Sequence, residues 1–460
     1  PIVPKPASID SFPGLWLPTL CLPPSNRFVF DRSHILLSTG WRSRNVILLC
    51  SDEDDSLARI PFPIDAPDGA SMSLYDVSRA TGHLIVGVSS LAQPETLYVA
   101  ELKLLQKGES VAIGENFQPV CIVHKDATVY SLKDEEDEDE TQEDDAYAQI
   151  RFVPLTNPAQ PLHPEAKRRL NELTMEIIQV PVNEKYEDGT PQLPFEAILL
   201  TPALDRTRPL TTPLLVFPHG GPHSVQSTSF VSQYAFAASV GISILFVNYR
   251  GSTAFGQAAL DSLPGKIGDQ DVRDCMAAIE CVLARTGNEQ VATRDNVHVQ
   301  GGSHGGFLTT HLIGQYPGFF QTAAARNPVT NVAHMLSTTD IPDWCMFEAT
   351  GSYDPLLMPT AADYERLFRA SPIAHINKVD TPLMMLLGGA DLRVPLSQAQ
   401  DYVKLLKARG VRTRTLLYPD GQHPLSENPL MEGDVWCSMV MWLLKRWNGE
   451  DLSILGEHKY

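Results

Sequence analysis

A serine lies at the tip of a glycine-rich turn, in the segment Gly301-Gly302-Ser303-His304-Gly305. A Gly-x-Ser-x-Gly turn between a strand and a helix exposes the serine oxygen above the end of a sheet, where it can act as a nucleophile. The flanking glycines are needed because side chains would collide with the adjoining elements. The sequence predicts an alternating apolar strand over 296–300 and a helix from about 307, which is the context that such a nucleophile requires.

A serine hydroxyl is a poor nucleophile until a base removes its proton. Asp391 follows a predicted strand over 383–387, and His423 follows another over 414–418. A lone aspartate after a Gly-Gly turn is usually a turn former, and a lone loop histidine is usually solvated. All three residues follow strands, however, in the Ser, Asp, His order of α/β-hydrolases. We therefore predict that His423 is the general base and that Asp391 orients it.

Attack by a serine also requires N–H donors that meet the negative charge developing on the substrate oxygen. The first predicted donor is the backbone N–H of His304, the residue after the nucleophile. The second is Gly221, in the segment Pro218-His219-Gly220-Gly221-Pro222 that directly follows an early apolar strand. A plain Gly-Pro turn is the alternative interpretation of that segment.

Two other loop residues are candidates for substrate contact. Tyr249, in the segment Asn248-Tyr249-Arg250-Gly251-Ser252, could add an oxyanion or substrate contact, with a structural role for its loop as the alternative. Arg393, two residues after Asp391, could bind an acidic or carbonyl group of the substrate. An ion pair with a loop carboxylate is the alternative for Arg393.

The elements that position these residues alternate between strand and helix from about residue 195. Continuous apolar runs, as expected for strands buried on both faces, occur at 214–217, 243–248 and 383–387. Further strands are predicted at 296–300, 322–325 and 414–418, and amphipathic helices at 271–285, from an N-cap at Ser397, and at 433–447. This alternation predicts a doubly wound, mostly parallel sheet, in which functional groups gather past the carboxyl ends of the strands. Strands at 175–180 and 195–200 are predicted to form an antiparallel entry to it.

Residues 1 to about 125 have a β pattern. Two similar sets of short apolar strands lie roughly 50 residues apart, close to the length of a propeller blade. The pattern alone does not separate a propeller from a sandwich. This stretch holds two or three blades, whereas propellers have at least about four, which predicts part of a larger structure.

Composition excludes several classes of protein. The chain has 460 residues, 43% of them hydrophobic, and a net charge of −19, which argues against nucleic acid as a partner. No apolar run approaches the ~18 residues of a membrane span. Ten acidic residues fall within 134–145, and we expect this run to be a solvated surface insertion. The sequence implies no cofactor.

The seven cysteines are scattered and lack a Cys-x-x-Cys pair, so the sequence gives no support for a metal site. Free thiols in a reducing compartment are the simplest account, and a cytoplasmic location is expected. The chain begins with Pro1, which indicates that the native start lies upstream and leaves open whether a targeting signal precedes it.

The segments HGGP at 219–222, NYRGSTAFG at 248–256 and GGSHGGF at 301–307 resemble the prolyl oligopeptidase family of serine peptidases. ARNPVTN at 325–331, TTDIPDWC at 338–345 and SPIAHI at 371–376 are similar to the acylaminoacyl peptidases within that family. Ala254 departs from the family pattern, where Gly often stands.

The resemblance implies a propeller of about seven blades over an α/β-hydrolase domain, with Ser303, Asp391 and His423 as triad, Gly221 and His304 as oxyanion donors, and Arg393 as a substrate contact. We accordingly expect a partial β-propeller over 1–165, with the acidic insertion, and a catalytic domain over 166–460. The chain has room for only the last blades, so a fragment or a truncated form is expected.

The function implied by the resemblance is an exopeptidase that releases an N-acylated, usually N-acetylated, amino acid from a blocked peptide, in a cytosolic homo-oligomer. One alternative is an oligopeptidase or dipeptidyl aminopeptidase of the same family. The latter needs a pair of acidic residues to hold a free amino terminus, and the acidic run at 134–145 is mispositioned for that role. The other alternative is a truncated, non-catalytic protein that binds peptides.

Overall fold

The computed structural model describes most of the chain from the first sheet to the last helix, and the statements below concern the described residues: 8, 11–16, 28–29, 33–51, 57–78, 81–105, 118–121, 146–156, 163–186, 188–202, 212–287, 290–447 and 449. The acidic run predicted to be a surface insertion lies outside them. In the part of the chain so described, no helix has both the length and the apolar character needed to cross a membrane.

The N-terminal part forms two antiparallel sheets. The first has four strands in chain order: β1 (Phe28–Val29), β2 (His34–Trp41), β3 (Arg44–Ser51) and β4 (Leu57–Arg59). The second has the order β5-β6-β7-β9-β8, made of β5 (Ser71–Val77), β6 (His83–Ser90), β7 (Gln93–Leu104), β8 (Gln118–Cys121) and β9 (Ala146–Pro154). Leu36 and Ile47 of the first sheet share one core with Met72 and Leu84 of the second. Consecutive small antiparallel sheets of this kind are how propeller blades are built.

The C-terminal part is a doubly wound sheet with the strand order β10-β11-β13-β12-β14-β15-β16-β17. The first two pairs, β10–β11 and β11–β13, are antiparallel, and the remaining pairs are parallel. The strands are β10 (Thr174–Val180), β11 (Phe195–Thr201), β12 (Leu214–Pro218), β13 (Ser243–Asn248), β14 (Val297–Gly302), β15 (Ala323–Arg326), β16 (Leu383–Gly388) and β17 (Thr413–Tyr418). This arrangement is that of an α/β-hydrolase, as predicted.

Helices cover both faces of this sheet. They are α1 (Pro164–Asn171), α2 (Ser232–Ser239), α3 (Gln257–Asp261), α4 (Gln270–Leu283), α5 (His304–Gln315), α6 (Val332–Met335), α7 (Pro342–Thr350), α8 (Ala361–Arg369), α9 (Ser397–Ala408) and α10 (Pro429–Trp447). One core packs α4, α5 and α9 against the sheet, and cores on the opposite face hold α2 and α10. Strands β11, β13 and β16 are buried along their whole length because helices cover them on both sides.

The predicted strands of this sheet are all present, with ends within two residues of the predicted ones. Two helix starts differ. Ser397 is the first residue of α9 and makes no capping bond, so its predicted N-cap role was wrong. The last helix begins at Pro429 rather than at Gly433. Proline is well tolerated in the first turn of a helix. The predicted domain boundary after residue 165 falls inside α1 and stays a prediction.

The turn between β2 and β3 joins the two parts of the molecule. Arg42 at its tip is buried and has a left-handed φ of 52°. Its Nε donates to Glu196 Oε1 at 2.7 Å, and its backbone N–H donates to the carbonyl of Ala254 at 2.9 Å. The next residue, Ser43, accepts a bond of 2.9 Å from Asn248 Nδ2. The N-terminal part is therefore fastened to the loop after β13, beside the predicted site.

Candidate active site

Ser303 occupies a strained turn between β14 and α5. Its φ of 58° and ψ of −122° are unusual for a residue with a side chain. The backbone N–H of Ser303 donates to the carbonyl of Arg326 at 2.9 Å, and its carbonyl accepts from Phe307 N–H at 2.9 Å. The strand thus passes into the helix through a single residue, which places Ser303 at the carboxyl edge of the sheet.

Close packing accounts for two glycines of the motif. A Cβ on Gly301 would lie 2.3 Å from the carbonyl carbon of Gly305, and a Cβ on Gly305 would lie 2.3 Å from the carbonyl oxygen of Pro218. Neither position tolerates a side chain without movement of the backbone. The turn is therefore pressed against the end of β12, where the predicted oxyanion loop begins.

Asp391 and His423 meet at the same edge. Asp391 Oδ2 lies 2.7 Å from His423 Nδ1, and Asp391 Oδ1 accepts the backbone N–H groups of Arg393 and Val394 at 2.9 Å each. The side chain of Asp391 is fully buried, and these hydrogen bonds fix its orientation. His423 Nε2 remains for a reacting group. The described residues show no hydrogen bond from Ser303 Oγ to His423; this bond commonly tightens only when substrate binds.

The loop after β12 lies against Ser303. A Cβ on Gly220 would be 3.5 Å from Ser303 Cβ, and Gly221 has a φ of 125° that favours glycine. The carbonyl of Gly221 accepts a bond of 3.0 Å from Trp344 Nε1, which holds this peptide in place. On the other side of Ser303, the backbone N–H of His304 opens α5 and has no acceptor within that helix. The loop that holds Gly221 and the residue His304 therefore lie next to Ser303, and the donor roles of their N–H groups stay a prediction.

The side chain of His304 points away from any substrate. It is fully buried, its Nε2 lies 2.9 Å from Asp271 Oδ2, and its ring stacks on Phe307 at 4.8 Å. Residue 304 thus offers the site only its backbone N–H. Sequence reasoning did not identify Asp271, because the contact depends on how α4 packs against α5.

Tyr249 lies behind the oxyanion loop. It is fully buried, and its hydroxyl donates to the carbonyl of His219 at 3.0 Å. The His219 ring stacks on Tyr249 at 4.4 Å, and its Nε2 lies 2.8 Å from Ser252 Oγ. Burial lowers the pKa of His219 to about 4, so this imidazole is neutral near pH 7. The structure corrects the substrate-contact interpretation of Tyr249: the residue supports the loop, the structural alternative.

Arg393 lies half exposed at the edge of the site and is paired. Its Nε lies 2.8 Å from Asp340 Oδ1, and its carbonyl accepts a bond of 2.7 Å from Thr339 Oγ1. The ion-pair alternative therefore describes this structure. A substrate contact stays a prediction, and 47% of the Arg393 side chain is exposed.

Two residues of the site were missed although a sequence signal existed. Arg326 ends β15 and Asn327 follows it, and both contact the segment around His423. The rule that functional groups follow parallel strands applies to them as it does to Ser303 and Asp391. The part of the chain that the structure describes contains no group of three or more histidine, cysteine or acidic side chains that could hold a metal ion.

Comparisons with known proteins show which proteins the chain is similar to. Residues 228–450 match the model of the prolyl oligopeptidase family. The acylamino-acid-releasing enzyme of Arabidopsis thaliana is 36% identical over 438 residues, covering 94% of this chain and 50% of that protein. The human acylamino-acid-releasing enzyme is 46% identical over 253 residues, covering 55% of this chain and 34% of that protein. The chain thus spans half or less of the length of these relatives.

A solved structure is similar over most of the chain. The acylaminoacyl peptidase of Pyrococcus horikoshii superposes with a TM-score of 0.64 at 17% identity, covering 90% of this chain and 54% of that one. At this identity the likeness concerns the fold. It extends the agreement to the N-terminal sheets, which lie outside the matched family region.

Proposed function

We propose that this chain, whose residues 228–450 match the model of the prolyl oligopeptidase family, is a serine exopeptidase that releases the N-terminal acylamino acid from N-acylated peptides. One observation carries the proposal. Ser303 lies on a strained strand-to-helix turn at the sheet edge where the Asp391–His423 pair is formed. We assign the roles of nucleophile, base and orienting acid to these three residues.

The proposed reaction has two steps. His423 Nε2 takes the proton of Ser303 Oγ as this oxygen attacks the scissile carbonyl, and the N–H groups of Gly221 and His304 stabilise the oxyanion. The C–N bond then breaks, and His423 passes its proton to the leaving amine. In the second step His423 activates a water that hydrolyses the acyl-enzyme ester, which releases the acylamino acid and returns the proton to Ser303.

The charged residues around the site favour a substrate whose amino terminus is blocked. A free amino terminus requires unpaired carboxylates. Asp340 is paired with Arg393, and Glu348 lies 3.2 Å from His223 Nε2. The exposed side of Arg393 could instead meet the carbonyl oxygen of an acyl group. The names of the matched relatives, acylamino-acid-releasing enzymes, point to the same substrate class.

Chromogenic substrates test the proposal. We expect acetyl-alanyl p-nitroanilide to be cleaved faster than alanyl p-nitroanilide, and we expect Ser303→Ala to abolish cleavage of both. Faster cleavage of free amino-terminal substrates would instead favour a dipeptidyl aminopeptidase, and internal cleavage of longer blocked peptides an oligopeptidase. A folded chain that cleaves none of them would favour the non-catalytic alternative.

We also propose a cytoplasmic, homo-oligomeric protein. The resemblance to cytosolic oligomeric peptidases supports this, and so do the free thiols of Cys50, Cys275, Cys281, Cys345 and Cys437. Light scattering coupled to gel filtration measures the number of subunits, and a monomer at micromolar concentration would contradict the oligomer.

A further inference from the structure

Asn327 lies between the loops that carry the proposed triad. It follows β15 directly, is 3% exposed and has a left-handed φ of 42°. Its side-chain Oδ1 accepts the backbone N–H of Gly388 at 2.8 Å. Its Nδ2 donates to the carbonyl of His423 at 2.9 Å and to that of Gln422 at 3.2 Å. One short side chain therefore joins two separate segments.

Both segments belong to the triad. Gly388 ends β16 and opens the turn that leads to Asp391. The bond to His423 is made to the backbone of the proposed base itself. The residue before Asn327 completes the link, because the carbonyl of Arg326 accepts the N–H of Ser303 at 2.9 Å. The end of β15 thus contacts the nucleophile, the acid loop and the base loop.

Arg326 strengthens the contact with the base loop. Its guanidinium donates to the carbonyl of Pro424 and, at 3.4 Å, to that of His423. It also packs on the nucleophile turn, since a Cβ on Gly302 would lie 2.4 Å from Arg326 Nη2. The base loop is therefore held by two adjacent side chains through its backbone carbonyls.

The chemistry required at position 327 selects asparagine. The side chain must accept one hydrogen bond and donate others within a short reach, which an amide does and a carboxylate does not. The backbone must also adopt a left-handed conformation, which asparagine tolerates better than most residues with a side chain. Aspartate would match the shape but would oppose an oxygen to two carbonyl oxygens. Glycine would match the backbone and lose both links.

We propose that Asn327 is a positioning residue that sets the separation of the Asp391 and His423 loops and so keeps the base aligned with Ser303. It acts through the backbone of these loops and contacts no reacting atom. The inference rests on the proposed function, because it takes Ser303 to be the nucleophile.

The test compares the rate at which a fluorophosphonate modifies Ser303 in Asn327→Asp, Asn327→Gly and the unmodified chain, per folded molecule. A misplaced base should slow the reaction on the order of 10- to 100-fold. We expect kcat for acetyl-alanyl p-nitroanilide to fall likewise while KM changes little. The low-field proton resonance of the His423–Asp391 bond should shift or broaden in both variants, a change that a purely structural role would not produce.

Asn296→Asp is the matched control. Asn296 is also buried and bridging: its Nδ2 donates to the carbonyl of Thr212 at 2.8 Å and its Oδ1 accepts from Thr293 N–H at 3.0 Å. It precedes β14, at the opposite end of the strand from Ser303, so its replacement should lower stability without slowing the labelling of folded protein.

Labelling of folded Asn327→Asp at the unmodified rate would overturn the proposal. If Asn327→Asp does not fold, Asn327→Gly decides, because glycine keeps the backbone conformation. An unmodified chain that is folded but never labelled would refute the proposed function, and this inference with it.

Discussion

In single residues of the site, some hydrogen-bonding atoms hold the residue in place and others remain for the proposed chemistry. Asp391 uses Oδ1 to accept two backbone N–H groups and Oδ2 to contact His423. His423 has its backbone carbonyl held by Asn327, and its Nδ1 by Asp391. In the proposed mechanism the second ring nitrogen is left for proton transfer. Each residue is thus fixed by one set of hydrogen bonds and would act through another atom.

Replacing Asp391 by asparagine should disturb the orientation of His423 and preserve the packing of the side chain at position 391. An amide of the same shape favours the wrong tautomer of His423, so we expect kcat to fall on the order of 10⁴-fold with little change in stability. The measurement is steady-state cleavage of acetyl-alanyl p-nitroanilide. Asp420→Asn, an exposed carboxylate of the same loop as His423, is the control and should retain activity. Equal activity of both variants would contradict the role of Asp391.

Buried neutral histidines should make the fold sensitive to acid. Burial lowers the pKa of His298 to about 3, from a usual value of roughly 6.5. Between these values the unfolded chain binds a proton that the folded chain does not, so the free energy of unfolding falls as the pH drops below about 6.5. For this one group the loss is about 2 kcal/mol at pH 5.

The variant His298→Asn tests this pH dependence. Asparagine can keep the bond that His298 Nδ1 makes with Thr322 Oγ1 at 2.7 Å, and it does not titrate. Its loss of stability between pH 7.5 and pH 5, measured by urea unfolding, should be smaller than that of the unmodified chain by about 2 kcal/mol. An unchanged difference between the two pH values would contradict the prediction.

The sequence shows whether a residue follows a strand, but it does not show where the side chain packs in the folded protein. Ser303, Asp391 and His423 each follow a strand, and that position is visible in the sequence. Tyr249 also follows a strand, but the sequence does not show that its side chain turns inward to support the oxyanion loop. Asp271 is identified only through packing between α4 and α5.

At the scale of the elements, the nucleophile turn depends on close packing of β14, α5 and β12. Gly305→Ala should destabilise the protein by about 1 to 3 kcal/mol, because its Cβ would lie 2.3 Å from the carbonyl oxygen of Pro218. The higher helix propensity of alanine, about 1 kcal/mol, acts in the opposite direction and should be outweighed.

Gly433→Ala in α10 is the control for this substitution. No atom lies within 4 Å of a Cβ at that position, so alanine there should be neutral or stabilising. Urea unfolding of both variants gives the comparison. If Gly305→Ala is as stable as Gly433→Ala, the packing account of the turn is wrong.

The sequence predicts which segments form strands and helices better than it predicts the residues at which they begin and end. Strands β12, β13 and β16 are continuous apolar runs, so their burial between helices follows from composition. β14 continues through two glycines to Gly302, which an apolar pattern cannot indicate because glycine carries no side chain. α10 likewise starts at Pro429, before the predicted start at Gly433.

At the scale of the whole molecule, a buried ion pair fastens the N-terminal sheets to the doubly wound sheet of the C-terminal part. Burial acts to raise the pKa of Glu196, but Arg42, Ser43 and Gln179 stabilise the carboxylate and lower it overall. The tip of the β2–β3 turn is therefore charged, buried and held from both sides. No sequence pattern predicts this contact, because its partners are separated by 154 positions.

Breaking this pair should weaken the joint between the two parts. Arg42→Ala leaves Glu196 buried without a counter-charge, and we expect a loss of about 3 to 5 kcal/mol in urea unfolding. Arg44→Ala, an exposed arginine beside the same turn, is the control and should change stability by less than about 0.5 kcal/mol. Equal effects of the two variants would show that the pair does not hold the parts together.

The central claim is that Ser303 is an activated nucleophile, and covalent labelling tests it most directly. A fluorophosphonate should modify the folded chain at one site, identified as Ser303 by mass spectrometry of its peptides. Ser303→Ala should remain unmodified, whereas Ser262→Ala, remote from the turn in sequence, should be modified normally. A folded, unmodified chain that does not react, or a Ser303→Ala variant that still does, would contradict the account.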